Sequence, residues 1–210
     1  MKETTPKEKV LKRLRSALIY KNQPPHLPTE KPVNKSSEND ILFAENFVSN
    51  GGGFVFSESM FQLGEDLYNL IRQNKWKNIY FSDDDLLTLI EDEMAINVIK
   101  KGRFFENKPL DAAICLADVL IAENGSVLIS SHKDLGINFT SLPENLIVIA
   151  SVEQIVPEWK SAIKQISEIY SSKNTVGMLH VYGGKRKKLH SKQLATGRNL
   201  FLLLIENISV

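Results

Sequence analysis

The chain has 210 residues, 42% hydrophobic and 24% charged, an ordinary balance for a globular protein that buries a proper core. Its formal net charge of +1 supplies no global field for nucleic acid or an anionic membrane, and its single cysteine, Cys115, excludes an intrachain disulfide framework, a cysteine-based zinc site and an iron–sulfur cluster. The apolar run from Leu200 to Ile205 is far too short to cross a bilayer, and the charged first residues lack the apolar core of a signal peptide, so the expected compartment is the cytoplasm.

Thr5-Pro6-Lys7-Glu8 opens the chain with a capping box: Thr5 as N-cap, Pro6 at the first helical position and Glu8 three residues after the cap. Val10, Leu14, Ala17 and Leu18 then share one face, which predicts a short amphipathic helix to about Tyr20. Pro24, Pro25, Pro28 and Pro32 follow among polar residues. Prolines lack an amide donor and turn their predecessors away from the α region, so residues 22–37 read as an extended linker. The expected organisation is therefore an arm and linker over 1–37 and one α/β domain over 38–210.

Asp40 to Phe47 reads as a helix stopped by Asn50-Gly51-Gly52-Gly53, and the glycines there fit a helix C-cap and turn better than a ligand loop, since no phosphate-binding spacing follows. Phe54-Val55-Phe56 is a predicted strand, and Ser59 to Gln73 a helix with Phe61, Leu63, Leu67, Leu70 and Ile71 inward. Ile79-Tyr80-Phe81 is a strand. Ser82 is expected to cap a helix carrying Leu86, Leu87 and Ile90, with Asp83-Asp84-Asp85 offsetting its dipole. Asp111 to Leu116 is a strand in which Cys115 reads as a small buried hydrophobe. Val119-Leu120-Ile121 and Val127-Leu128-Ile129 pair around a turn. Leu146 to Ala150, Val176 to Val181 and Leu200 to Ile205 are further strands, and Pro157 to Tyr170 is a helix. Apolar strands alternating with helices imply an α/β protein with a mostly parallel sheet covered on both faces.

The informative stretch runs from Ala117 to Ile129. It sets two carboxylates, Asp118 and Glu123, on either side of apolar strand residues and then turns at Asn124-Gly125, the dipeptide suited to the positive φ values of a type I′ hairpin. On turn chemistry alone, Asp118 caps, Glu123 is solvated and the dipeptide is only a turn. The same stretch, with Asp111-Ala112-Ala113-Ile114 before it and Ser141-Leu142-Pro143, Ile147-Val148-Ile149 and Gln154-Ile155-Val156 after it, resembles the LUD domain family of lactate-utilisation proteins. That family's pattern is an alanine-aspartate, an apolar stretch, then Ala-Glu-Thr-Gly-Thr-Leu-Val-Leu; here Asn124 and Ser126 stand for the two threonines. The resemblance covers roughly residues 40–205. It implies a three-layer α/β/α sandwich like ribose-5-phosphate isomerase and the CoA transferases, and a role linked to oxidation of L-lactate to pyruvate. With one cysteine the chain is similar to the LUD-only, cluster-free kind. The family's usual Gly-Pro-Ser-x-Thr-Ala-Asp-Ile-Glu segment is replaced here by Tyr182-Gly183-Gly184-Lys185-Arg186-Lys187-Lys188, so its acidic pair is absent.

Two functional readings follow. In the first, the chain is an accessory or small-anion-binding component of lactate and organic-acid use. Gly183 and Gly184 expose backbone amides, and Lys185, Arg186 and Arg198 supply charge-assisted donors to a carboxylate, phosphate or CoA, close to the edge carrying Asp118, with Asn124 and Gly125 forming the ligand-side turn. In the second, Glu123-Asn124-Gly125 resembles the Glu-Asn-Gly of class I CoA transferases, and Ala117-Asp118 the aspartate of sugar-phosphate isomerases, which makes Asp118 and Glu123 catalytic. The four histidines show no paired ligand spacing, so no protein-bound metal is expected. No cofactor is expected either. Expected partners are a small anionic ligand and the iron–sulfur proteins of lactate oxidation, with a homo-oligomer left open; nucleic acid and membrane are not expected. A third reading gives the N-terminal helix a docking role on a partner.

Overall fold

The computed structural model describes residues 35–89, 96–100, 109–130, 142–170, 178–182 and 199–206. The expected N-terminal helix and most of its linker lie outside them, as do Gly183, Gly184, Lys185, Arg186 and Arg198.

Helix α1 (Lys35–Ser49) starts three residues inside the segment expected to be linker. It stops where Gly51 takes a positive φ of 91°, its amide bonded to Val48 O at 2.9 Å while Gly52 N bonds Phe47 O at 3.0 Å. These bonds satisfy the last carbonyls of the helix. A three-residue connection then leads into β1 (Gly53–Ser57), so α1 packs antiparallel along it, with Phe47 edge-on to Phe54 at 6.3 Å. Ser59 caps α2 (Met60–Asn74), its side chain accepting from Gln62 N. The strands β2 (Asn78–Phe81), β3 (Asn97–Lys100), β4 (Ala112–Leu116), β7 (Asn145–Ser151) and β10 (Asn199–Ile205) join β1 in an all-parallel sheet of order β1-β10-β7-β4-β2-β3.

The α/β class and the parallel sheet are as the patterning predicts. What it did not predict is the layer on one face. There β5 (Val119–Ile121), β6 (Ser126–Ser130), β8 (Ile155–Val156) and β9 (Met178–Tyr182) form a second, mixed sheet of order β8-β5-β6-β9. Leu120, Ala122, Val127 and Ile129 pack with Tyr80, Ala113, Cys115, Leu146 and Val148 of the parallel sheet and with Phe43 and Phe47 of α1. Val119, Ile121 and Leu128 face the other way, onto Ala162 and Ile166 of α3 (Trp159–Ile169). The opposite face of the parallel sheet is covered by Leu63, Leu67 and Ile71 of α2 and by Leu86.

Three local expectations are corrected. Phe61, predicted inward, is 73% exposed, because the inward row of α2 is Leu63, Leu67 and Ile71. Ser82 caps no α-helix: a 3₁₀ turn (Asp85–Leu89) follows β2, and Asp83 accepts from Asp85 N. The turn after β5 is not type I′, since Gly125 (φ 63°) has a positive φ while Asn124 does not. Ile121 pairs with Ser126 and Gly125 N reaches Ile121 O at 2.9 Å, so the loop has four residues and ends on a left-handed glycine.

Candidate functional site

In a parallel sheet all carboxyl ends lie at one edge, and ligands favour the crevice where neighbouring strands send their connections in opposite directions. Here β2 leads outward to β3, whereas β4 leads through the second sheet to β7 on its other side. The crevice therefore lies between β2 and β4. Ser57, Ser82, Asp118 and Ser151, four of the five buried polar side chains among the described residues, stand at or just past the carboxyl ends of β1, β2, β4 and β7.

Their partners differ. Ser57 donates to Asp66 at 2.8 Å. Gln154 ties β7 to β4: its Oε1 accepts from Ser151 N at 2.7 Å and its Nε2 donates to Ala117 O at 2.6 Å. Asp118 is 4% exposed and accepts from Tyr170 Oη at 2.6 Å, which joins the end of α3 to the end of β4. Ser82, 6% exposed, has a backbone amide bonded to Ile114 O but a hydroxyl with no partner among the described residues. Asp118 also acts on Cys115: burial first, and the nearby carboxylate second, push that thiol up to about 12, so it stays protonated and inert. Gln154, Tyr170 and Ser82 were missed from sequence as site residues. Gln154 was legible only within the family pattern, and Tyr170 carried no local signal.

Glu123 lies elsewhere. It is exposed in the four-residue loop, beyond the far end of β5 from Asp118. The three residues of β5, Val119–Ile121, at roughly 3.3 Å each, place about 10 Å of extended chain between Asp118 and the loop that carries Glu123. The loop is held by α1: Asn46 Nδ2 donates to Ala122 O at 2.8 Å and Glu123 O at 3.1 Å, and Asn50 Nδ2 to Asn124 O at 2.7 Å. Asn124 Oδ1 in turn accepts from Ser126 Oγ at 2.5 Å and Ser126 N at 3.1 Å, while Glu123 N reaches Pro157 O at 2.9 Å. Gly125 lies against the backbone of Asn46 and Phe47, within one helical turn of the residues entering β1. The loop therefore sits at the amino edge of the parallel sheet.

The described neighbours of the basic segment share that side. Tyr182, which precedes Gly183, pairs with Ser126 at the loop end of β6, and Asn199, which follows Arg198, starts β10 with its amide on Glu144 O. The basic run itself lies outside the described residues; the residues that flank it, Tyr182 and Asn199, stand at the edge carrying Glu123. The carboxyl edge is acidic, with Asp83, Asp84 and Asp85 following β2, and Lys100 there pairs with Asp84 at 3.4 Å.

The LUD domain model matches residues 42–182, two thirds of the chain. The chain belongs to the LUD domain family. It is 26% identical over 104 residues to "Lactate utilization protein C" of Oceanobacillus iheyensis, a match covering 48% of this chain and 45% of that protein. The matched part thus spans less than half the length of that relative. A crystal structure of a DUF162 family protein from Deinococcus radiodurans has the same fold, with a TM-score of 0.59 at 13% identity, covering 83% of this chain and 99% of that one. No helix among the described residues is long and apolar enough to cross a membrane.

Proposed function

We propose that this LUD-domain protein serves lactate or organic-acid utilisation as a component that binds a small anion, rather than as an enzyme working through Asp118 and Glu123. The link to lactate rests on the family and on the name of the Oceanobacillus relative. The observation that carries the choice of binding over two-carboxylate catalysis is the split between those residues. Asp118 is buried and bonded to Tyr170 at the carboxyl edge, whereas Glu123 is exposed in a loop at the amino edge. A nucleophile and a proton-transfer group must reach one ligand within about 3 Å each, and a buried group at one edge with an exposed group at the other favours binding over that pairing.

In this reading the anion is held by Lys185, Arg186 and Arg198 with the amides of Gly183 and Gly184, beside the Asn124-Gly125 loop. Support comes from the position of Tyr182 beside that loop, from Asn199 at the amino end of β10, and from the acidic residues that follow β2 at the carboxyl edge, which repel an anion. The second reading keeps an isomerase type of chemistry, through Asp118, at the carboxyl edge, and Ser82 is the observation in its favour, because its buried hydroxyl has no partner among the described residues beside the β2/β4 crevice.

A single titration separates them. Lactate, phosphate and CoA are added in turn to the wild type, a Lys185→Ala/Arg186→Ala variant and a Ser82→Ala variant while thermal unfolding is followed. A ligand at a hundredfold excess over its Kd stabilises the native state by about 2.7 kcal/mol. Binding at the amino edge predicts that the Lys185→Ala/Arg186→Ala variant loses this shift and Ser82→Ala keeps it. The reverse pattern supports the carboxyl-edge reading, and the same shift in all three proteins removes both sites.

A further inference from the structure

Helix α2 presents an apolar face that nothing among the described residues covers. Phe61 is 73% exposed, and Met60 and Tyr68 are 38% and 40% exposed. Phe61 and Tyr68 are seven residues apart, two turns along one side of the helix. Glu58 and Glu65, both exposed, stand at this end, and no cation lies between residues 58 and 71. A phenylalanine so exposed on a regular helix, with a second aromatic on its own face and acidic neighbours, is a surface suited to a basic amphipathic partner.

Such a segment belongs to this chain. Residues 5–20 carry Lys7, Lys9, Lys12, Arg13 and Arg15 against Glu8 alone, together with the apolar row Val10, Leu14, Ala17 and Leu18. The point of entry is also suitable. Because α1 runs antiparallel to β1, its first residue, Lys35, lies toward the carboxyl end of β1, and α2 begins at that same end, three residues after Ser57. β1 is an edge strand, with α1 on one face of the sheet and α2 on the other. A segment arriving at Lys35 has only to pass around this edge. Residues 21–34 span up to roughly 43 Å as a proline-rich extended chain, against roughly 20 Å for crossing one sheet with a helix layer at its usual 10 Å on either side.

We propose that residues 5–20 dock in cis onto the Met60, Phe61 and Tyr68 face of α2, with their lysines and arginines against Glu58 and Glu65. The arm then lies on α2, and the opposite face of the parallel sheet, on the side of α1 and the Glu123 loop, stays open. This inference does not depend on the anion-binding reading.

Limited trypsin digestion of the full-length protein tests it, because the segment's own lysines and arginines are the cleavage sites. Digestion is followed by mass spectrometry in the wild type and in Phe61→Ser and Glu65→Lys variants. Both substitutions are at exposed positions, and unchanged melting of the core shows that the fold is intact. Docking predicts slow cleavage at residues 7–15 in the wild type and at least tenfold faster cleavage in each variant. Equal rates in all three proteins overturn the proposal and leave the face to another partner. Protection that grows with protein concentration, alongside a dimer in sedimentation, overturns docking in cis in favour of exchange between two copies.

Discussion

Replacing Gly125 with alanine should destabilise the protein by about 2–5 kcal/mol, through the clamp that α1 places on the Glu123 loop. Gly125 has φ 63°, and a left-handed residue with a Cβ costs about 1–2 kcal/mol. The added carbon would lie 2.5 Å from the carbonyl carbon of Asn46 and closer still to Phe47 N, both backbone atoms that cannot rotate aside. Either the loop or α1 has to move. Movement puts at risk the bonds from Asn46 to Ala122 O and Glu123 O and from Asn50 to Asn124 O, each contributing about 1 kcal/mol. For a domain of this size 1 kcal/mol corresponds to about 2–4 °C, so the melting temperature should fall by roughly 4–20 °C. The assay is urea unfolding followed by far-UV circular dichroism, in a double-mutant cycle with Asn46→Ala. The clamp predicts that the two substitutions are strongly non-additive, since each releases the same contact. A cost below about 1 kcal/mol, or simple additivity, would refute the reasoning.

Other outcomes follow from the same geometry. Tyr170→Phe removes a donor from the buried Asp118 and should cost about 1–3 kcal/mol, whereas Glu123→Gln at its exposed position should change stability by less than about 0.5 kcal/mol, both read by urea unfolding. Cys115, buried and with its thiol pushed up to about 12, should resist thiol reagents at pH 8 in the native protein and react fully once unfolded; rapid native labelling would contradict its place between the two sheets. Burial pushes the Asp40 carboxyl up from 3.8 to about 6. Its native pKa is raised, so the associated stability is present below about pH 4 and is lost as the pH rises through 6. Asp40→Asn should therefore melt above the wild type at pH 7.5 and level with it at pH 4, and a gap of equal size at both pH values would rule out ionisation as its cause.

Much of this fold is legible in the residues. The six apolar strands that fix the sheet, apart from β3, all carry continuous runs such as Ala112-Ala113-Ile114-Cys115 and Leu146-Ile147-Val148-Ile149, which is what burial on both faces demands. β3 was missed because it is an edge strand, largely exposed and without alternation, and β8 because two residues carry no period. The second sheet was hidden for a related reason. Val119 to Ala122 is apolar on both faces, as in any inner strand, and a sequence pattern does not say whether a helix or a sheet lies on each side. Phe61 could have been placed correctly: it is two residues, or 200°, around the helix from Leu63, on the side away from the inward row. The site was less readable. Asp118 and Glu123 look like a pair in one dimension, but a strand between two carboxylates holds them apart, and a ruler of about 3.3 Å per residue was available from the start. Ser82 and Tyr170 become visible only once the strands are ordered side by side.

The claim that anion binding rather than two-carboxylate chemistry underlies the function is tested most directly by growth on L-lactate as sole carbon source, in a strain whose own copy of the gene is deleted. The strain is complemented with the wild type, Glu123→Gln, or Lys185→Ala/Arg186→Ala, each confirmed to accumulate to the same level. The account predicts no growth without a copy, full rescue by the wild type and by Glu123→Gln, and failure of the Lys185→Ala/Arg186→Ala protein. Normal growth of the deleted strain, or a Glu123→Gln protein that accumulates normally yet fails to rescue, would contradict it.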